Sequence, residues 1–197
     1  MSWVFDGVVL ASGSPRRQEL LTQIGVAFKL ATHTVDEASK PSESAHDYVQ
    51  RLAVEKAQSV VSQAAHDWPV LGADTAVTID GQILGKPVDK ADAMRMWDLL
   101  SGREQIVFSS VAICTAQESA VLVSQSRVRF REITQQEREA YWRSEEPIGK
   151  AGAYAIQGLG GLFVTRIEGS YSGIVGLPLH ETAVLLERFG IKTGLAT

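Results

Sequence analysis

The sequence lacks the residues that several common kinds of site require. It contains one cysteine, Cys114, which excludes an intramolecular disulfide and a multi-cysteine zinc site. Its four histidines show no metal-ligand spacing, and neither a G-x-S-x-G nucleophile elbow nor a P-loop motif occurs. A zinc enzyme, a serine hydrolase and a P-loop kinase are therefore all disfavoured.

Strong net charge and long apolar runs are also missing. The formal net charge is -4 with acidic and basic residues interspersed, so there is no electrostatic basis for binding a nucleic acid polymer or an anionic membrane. No apolar run reaches transmembrane length, and the first residues do not resemble a signal peptide. We therefore expect a cytoplasmic protein. A chain of 197 residues with 45% hydrophobic content can form one domain with a substantial core.

The stretch from Val8 to Leu21 predicts a strand, a tight turn and a helix. An apolar run precedes Gly13, and Ser14 with Pro15 is typical of a helix start. Arg16 and Arg17 then lie in the first helical turn, where the helix dipole disfavours cations. A bound phosphate would offset this cost. The alternative is two solvated arginines on a surface helix.

Two further charged residues occur at positions where apolar residues are expected. Lys56 lies on the inward stripe of a helix predicted from Ser44 to about residue 65. Its ammonium either extends past the edge of the core or meets phosphate in a cleft. Asp74 lies within the apolar strand predicted over 70–79. It has two interpretations: a carboxylate that is hydrogen-bonded to amides at a strand end, or a catalytic carboxylate.

The remaining patterns predict an α/β fold. Asp80-Gly81 predicts a type I′ turn that returns the chain towards Lys86. The other predicted strands span 27–31, 106–114, 120–130 and 162–167. One helix is predicted from Pro15 to Gly25, and another begins at Asp89 with Ala93, Met94, Trp97 and Leu100 facing inward. A third helix follows a capping box of Thr134 and Glu137. The last helix spans 179–189, and a frayed tail is predicted over 192–197.

Two polar segments have two interpretations each. Residues 146–161 are rich in glycine, which indicates backbone that approaches a ligand closely, or else a flexible loop. Asp36 and Glu37 lie in a polar loop, where a solvated acidic turn is the simpler interpretation.

Several of these segments together resemble the Maf proteins, a family of nucleotide pyrophosphatases. The matching segments are LASGSPRRQELL, EKA, GADT with a downstream GKP, KAGAYAIQGLG and GSYSGIVGLPL, and they extend from about residue 10 to residue 179. The resemblance implies an elongated mixed α/β sheet flanked by helices with a central cleft, similar to the inosine triphosphatase fold. It also implies a single domain over 1–197 with two lobes, a homodimer, and Mg²⁺ or Mn²⁺ as the cofactor.

The resemblance implies hydrolysis of a nucleoside triphosphate to the monophosphate and pyrophosphate. Gln157 is typical of the branch that acts on dTTP and UTP; the alternatives are 7-methyl-GTP hydrolysis and a nucleotide-binding regulator of septum formation. The residues themselves predict that Asp74 is the general base, because it is the only carboxylate within an apolar strand beside the cationic motifs, and that Lys86 takes part in catalysis. Substrate binding is predicted for Ser12, Arg16, Arg17, Lys56, Thr75 and Gln157, and metal binding for Glu37 and Asp74. Gln105 and Gly149 depart from the family pattern, which usually has a histidine and an acid there.

Overall fold

A computed structural model describes residues 4–62 and 68–195. Its seven-stranded sheet has the order β2-β1-β3-β5-β6-β7, with β4 paired to β3. The strands are β1 (Gly7–Leu10), β2 (Ala27–Leu30), β3 (Val70–Ile79), β4 (Gln82–Leu84), β5 (Glu104–Cys114), β6 (Ser119–Phe130) and β7 (Val164–Glu168). The helices are α1 (Pro15–Gln23), α2 (Ala45–Val61), α3 (Lys90–Leu100), α4 (Gln135–Arg143), α5 (Tyr171–Val175) and α6 (Leu179–Arg188), with two short 3-10 helices at Ala151–Ala153 and Leu159–Phe163. The predicted mixed α/β class is confirmed.

The sheet opens along one edge of β3, and this opening creates the cleft. β1 pairs in parallel with β3 only at Val70 and Leu71, whereas β4 pairs antiparallel with Val77–Ile79. The opposite edge of β3 is paired with β5 over 70–78. Among the described strands, none pairs with residues 72–76 on the edge that faces β1. Asp74 therefore lies where the sheet is split.

Helix α2 packs closely on the strand that carries Asp74. A Cβ on Gly72 would lie 2.2 Å from the carbonyl oxygen of Ala53, so only glycine permits this approach. Lys56, three residues after Ala53, is thereby brought against β3. Side chains alternate between the two faces of the sheet, so the core is divided into two clusters. Leu10 and Leu71 belong to the larger cluster on one face, and Ala57 belongs to the smaller cluster on the other face.

Most predicted elements are confirmed within about two residues. Asp80 and Gly81 both have positive φ, 52° and 76°, as a type I′ turn requires. Thr134 and Glu137 form both hydrogen bonds of the predicted capping box. The predicted end of α2 near residue 65 lies outside the described residues. No helix in the described part of the chain is long and apolar enough to cross a membrane.

Three details of the structure differ from the prediction. Helix α1 ends at Gln23, because Gly25 has φ 68° and closes the helix, and the Ser14 side chain forms no capping bond. In α3 the buried methionine is Met96 rather than Met94, since Ala93, Met96, Trp97 and Leu100 share one helical stripe. The frayed tail over 192–197 stays a prediction; in its described part, the Gly194 N–H donates to the Ile24 carbonyl at 2.7 Å.

Candidate active site

A cleft of about 830 Å³ lies over the split in the sheet. Its walls are formed by the β1–α1 turn, the loop after β2, one side of α2, the middle of β3, the segment after β4, and the segment between α4 and β7. Every site residue predicted from the sequence lines this cleft: Ser12, Arg16, Arg17, Glu37, Lys56, Asp74, Thr75, Lys86 and Gln157. The fold thus brings together residues that are up to 145 positions apart in the sequence, from Ser12 to Gln157.

Two carboxylates share one buried ammonium at the floor of the cleft. Lys56 Nζ lies 2.7 Å from Asp74 Oδ1 and 2.6 Å from Glu37 Oε1. Lys56 is 3% exposed and Asp74 is 7% exposed. Lys56 therefore does not extend past the edge of the core, and its ammonium lies in the cleft with two carboxylates already bonded to it. Asp74 accepts the hydrogen bond from Lys56 through Oδ1, and no residue within the described ranges donates to its Oδ2.

Glu37 is held between two lysines at the side of the cleft. Its Oε2 lies 3.2 Å from Lys86 Nζ. Burial by itself raises the pKa of Glu37, but the hydrogen bonds and charges of Lys56 and Lys86 outweigh burial and lower this pKa to about 2. Glu37 is therefore anionic at neutral pH. The interpretation as a solvated acidic turn is right for Asp36, which is exposed, and wrong for Glu37.

Arg17 ties the first helix to the far side of the cleft. Its Nε donates to the Gly176 carbonyl at 2.9 Å, and its Nη1 donates to Ser12 Oγ at 3.1 Å. The Thr75 hydroxyl lies 3.4 Å from the same Gly176 carbonyl oxygen and 3.1 Å from Ser109 Oγ. Burial lowers the pKa of Arg17, and the negative charge of Asp74 opposes that change. These bonds use Nε and Nη1, and no residue in the described ranges accepts from Nη2.

Two cations at the mouth of the cleft repel each other. Burial lowers the pKa of Lys150, and the positive charge of Arg16 lowers it further. Burial is also the main cause of the lowered pKa of Arg16. Because both side chains line the cleft, a polyanion bound there would relieve this repulsion.

Four titratable residues of the cleft were not singled out from the sequence as site residues: His33, Tyr48, Lys150 and Tyr154. Tyr48 donates to the Glu37 carbonyl at 2.9 Å and so fixes the backbone of that residue. His33 follows β2, and burial together with the nearby Lys56 lowers its pKa. For His33 the available signal was the order strand, helix, strand over 7–30, which indicates parallel strands and so places the loop after β2 beside the Gly13 turn. His46 and His180 do not line the cleft, and His66 lies outside the described residues.

Comparison with known proteins gives a consistent result. The family model of the Maf-like proteins matches residues 7–189. A protein of Hahella chejuensis named dTTP/UTP pyrophosphatase is 54% identical over 197 residues, covering 96% of this chain and 98% of that protein. Proteins with the same name are 50% identical in Photobacterium profundum, covering 91% of this chain and 95% of that protein, and 51% identical in Bordetella parapertussis, covering 92% of each. The chain therefore belongs to the family of Maf-like proteins.

Proposed function

We propose that the protein hydrolyses dTTP and UTP to the nucleoside monophosphate and pyrophosphate. The observation that carries this proposal is the position of Asp74, a buried carboxylate in a cleft whose walls also hold Arg16, Arg17, Lys86 and Lys150. Such a cleft combines a base for water with cations for a triphosphate. The names of the relatives support pyrimidine triphosphates as the substrates.

In the proposed reaction a water attacks the α-phosphorus. Lys56 holds Asp74 through Oδ1, so Oδ2 is the oxygen that accepts the proton of the water. A new bond forms between the water oxygen and the α-phosphorus, and the bond from that phosphorus to the bridging oxygen breaks. Pyrophosphate leaves with the bridging oxygen, and the cationic side chains, including Lys86, neutralise the charge that develops on it.

A divalent cation is the proposed cofactor, and the carboxylates of the cleft fit it in part. Within residues 4–62 and 68–195, no group of three or more His, Cys, Asp or Glu side chains is placed to bind a metal ion. Asp74 and Glu37 nevertheless converge on one point, the Lys56 ammonium, and carboxylate oxygens are the ligands that Mg²⁺ and Mn²⁺ prefer. We propose that these two residues hold the cation together with phosphate oxygens. When bound, it would neutralise negative charge on the phosphates.

Gln157 is the proposed determinant of base specificity. Its amide both donates and accepts, which suits a pyrimidine edge with a carbonyl beside an N–H. Thr75 and Arg16 are proposed to assist in this selection, and Ser12 to contact phosphate, since all of them line the same cleft.

We further propose that the chain is one domain with two lobes that acts as a cytoplasmic homodimer, without a nucleic acid polymer or a membrane as partner. The near-neutral balance of charge, a formal -4, is consistent with a small charged substrate. Light scattering tests the dimer, and a mass near 21.4 kDa at micromolar concentration would contradict it.

The test of function is a panel of kcat/KM values for canonical and modified triphosphates, with Mg²⁺ or Mn²⁺ and pyrophosphate as the assayed product. We expect the highest values for dTTP and UTP. Highest activity with 7-methyl-GTP would contradict the proposed specificity. Binding of nucleotides without any turnover would contradict the enzymatic proposal and favour a nucleotide-binding regulator.

A further inference from the structure

Gln157 lies at the exposed tip of the segment from Ala155 to Gly160. A side chain that selects a base must be held in place, because loss of alignment forfeits hydrogen bonds that discriminate between bases. The residue itself is exposed, so its own packing does not supply this order. The order has to come from residues that bond the backbone on either side of it.

Tyr141 and Glu146 bond the backbone two residues before and two residues after Gln157. The Tyr141 hydroxyl accepts the Ala155 N–H at 3.0 Å. Glu146 Oε2 accepts the Leu159 N–H at 2.9 Å, and Oε1 accepts the Gly160 N–H at 3.0 Å.

The two side chains are also bonded to each other. The Tyr141 hydroxyl donates to Glu146 Oε1 at 2.7 Å. Burial alone raises the pKa of Glu146, but the hydrogen bonds from Gly160, Tyr141 and Leu159 outweigh burial and lower it. At neutral pH the carboxylate is therefore charged, and its hydrogen bonds to the loop are charge-assisted.

The glycines of this segment are explained by the same pair. A Cβ on Gly158 would lie 2.1 Å from Glu146 Oε2, and a Cβ on Gly160 would lie 2.6 Å from the Tyr141 hydroxyl. At these two positions the close approach that glycine permits is to Tyr141 and Glu146, whereas approach to a ligand stays a prediction.

We infer that Tyr141 and Glu146 are positioning residues for base recognition, which act by holding Gln157 from both sides. This inference rests on the proposed function, because it assigns to the pair the alignment of the residue that reads the base. Within residues 4–62 and 68–195, the side chains that line the cleft do not include Tyr141 or Glu146, so we expect the pair to act through the loop rather than through contact with the substrate.

The residues just before this segment are hydrogen-bonded to other parts of the fold. The Trp97 indole donates to the Ala153 carbonyl at 3.0 Å, and the Gly152 N–H donates to the Gly85 carbonyl at 3.1 Å. The Tyr141 ring packs against Trp97 and Phe163, and Tyr141→Phe retains the ring. We therefore expect the variants to loosen residues 155–160 while the fold is retained.

The experiment compares Glu146→Gln and Tyr141→Phe with the wild-type enzyme. The readout is the ratio of kcat/KM for dTTP to that for dCTP, with thermal unfolding as the measure of folding. In Glu146→Gln an NH₂ group faces a backbone N–H, so the loop loses at least one hydrogen bond. Glu139→Gln is the matched control, because Glu139 lies on the surface of α4 and pairs with Lys90.

We expect the ratio to fall about tenfold in Glu146→Gln and severalfold in Tyr141→Phe, and to be unchanged in Glu139→Gln. In a Gln157→Ala background, Glu146→Gln should produce no further fall, since the residue that it positions is gone. An unchanged ratio in both variants, or the same fall in the Gln157→Ala background, would overturn the inference. If Glu146→Gln does not fold, the ratio measured for Tyr141→Phe decides whether the inference holds.

The proposed function is tested separately, by measuring triphosphate hydrolysis with the wild-type enzyme alone. If that enzyme hydrolyses no triphosphate, the ratio of dissociation constants for dTTP and dCTP replaces the kinetic ratio. The same variants and the same criteria then decide whether the pair positions Gln157.

Discussion

Lys56 on α2 and Asp74 on β3 form a buried ion pair with 2.7 Å between Nζ and Oδ1. The pair holds the carboxylate at the split in the sheet, where Asp74 lines the cleft. It therefore serves both the stability of the fold and the proposed chemistry, and the two contributions can be separated by mutation.

Asp74→Asn should abolish most of the activity and leave the protein folded. The amide keeps the shape of the side chain but does not accept a proton from water, so we expect kcat to fall by about 10²- to 10⁴-fold. The measurement is steady-state pyrophosphate release, with circular dichroism as the check on folding. Asp80→Asn is the control, because Asp80 lies in the exposed turn after β3 and contacts Arg103. Near wild-type turnover by a folded Asp74→Asn protein would refute the assignment of the base.

Lys56→Met should destabilise the protein strongly. It leaves Asp74 and Glu37 facing each other without the ammonium that both contact, and removing one partner of a buried pair costs about 3 kcal/mol. The free energy of unfolding is measured by denaturant titration. Adding Asp74→Asn should recover part of the loss, since the amide carries no charge. Lys90→Met removes only an exposed pair and should cost less than about 1 kcal/mol; equal costs for the two lysine variants would contradict the prediction.

Glu37 should contribute to stability at neutral pH and lose this contribution in acid. Its pKa falls from 4.5 to about 2 on folding, so the contribution is complete above pH 4.5 and disappears as the pH falls through 2. Because the side chain is 39% exposed, solvent screening limits the effect to about 1 kcal/mol. We expect the difference in unfolding free energy between wild type and Glu37→Gln to vanish over this range.

The control for the pH experiment is the neighbouring Asp36→Asn. Asp36 is exposed and accepts the Ala38 N–H at 3.0 Å, a bond that asparagine can also accept. Its difference from wild type should stay near zero at every pH. A difference for Glu37→Gln that is independent of pH would show that the ion pairs with Lys56 and Lys86 do not stabilise the fold.

Gln157→Glu should shift specificity away from dTTP and UTP and towards 7-methyl-GTP. A carboxylate accepts but does not donate, so it leaves a pyrimidine carbonyl unpaired at a cost of about 1–3 kcal/mol, a factor of roughly 5 to 150. The measurement is the ratio of kcat/KM values for dTTP and 7-methyl-GTP. Gln125→Glu makes the same chemical change at an exposed position of β6 and should leave the ratio unchanged. An unchanged ratio in Gln157→Glu would remove that residue from base selection.

The local structure of this protein is largely determined by its sequence. The Asp80-Gly81 turn, the capping box of Thr134 and Glu137, and the alternation of β5 and β6 depend on neighbours in the chain, so they could be predicted without the fold. The family motifs also contain every predicted cleft residue except Glu37, although which of these residues act in catalysis stays a prediction.

Only the tertiary structure decided which charges meet. The sequence marks Lys56 and Asp74 as anomalies, but their contact requires α2 to lie on β3 at Gly72, and Glu37 joins them from a loop with no regular pattern. The sequence likewise does not show which residues bond the segment around Gln157, because Glu146 accepts the N–H groups of Leu159 and Gly160 from more than ten residues away. Short-range patterns report backbone conformation, whereas ion pairs and loop attachments depend on distances that exist only once the chain is packed.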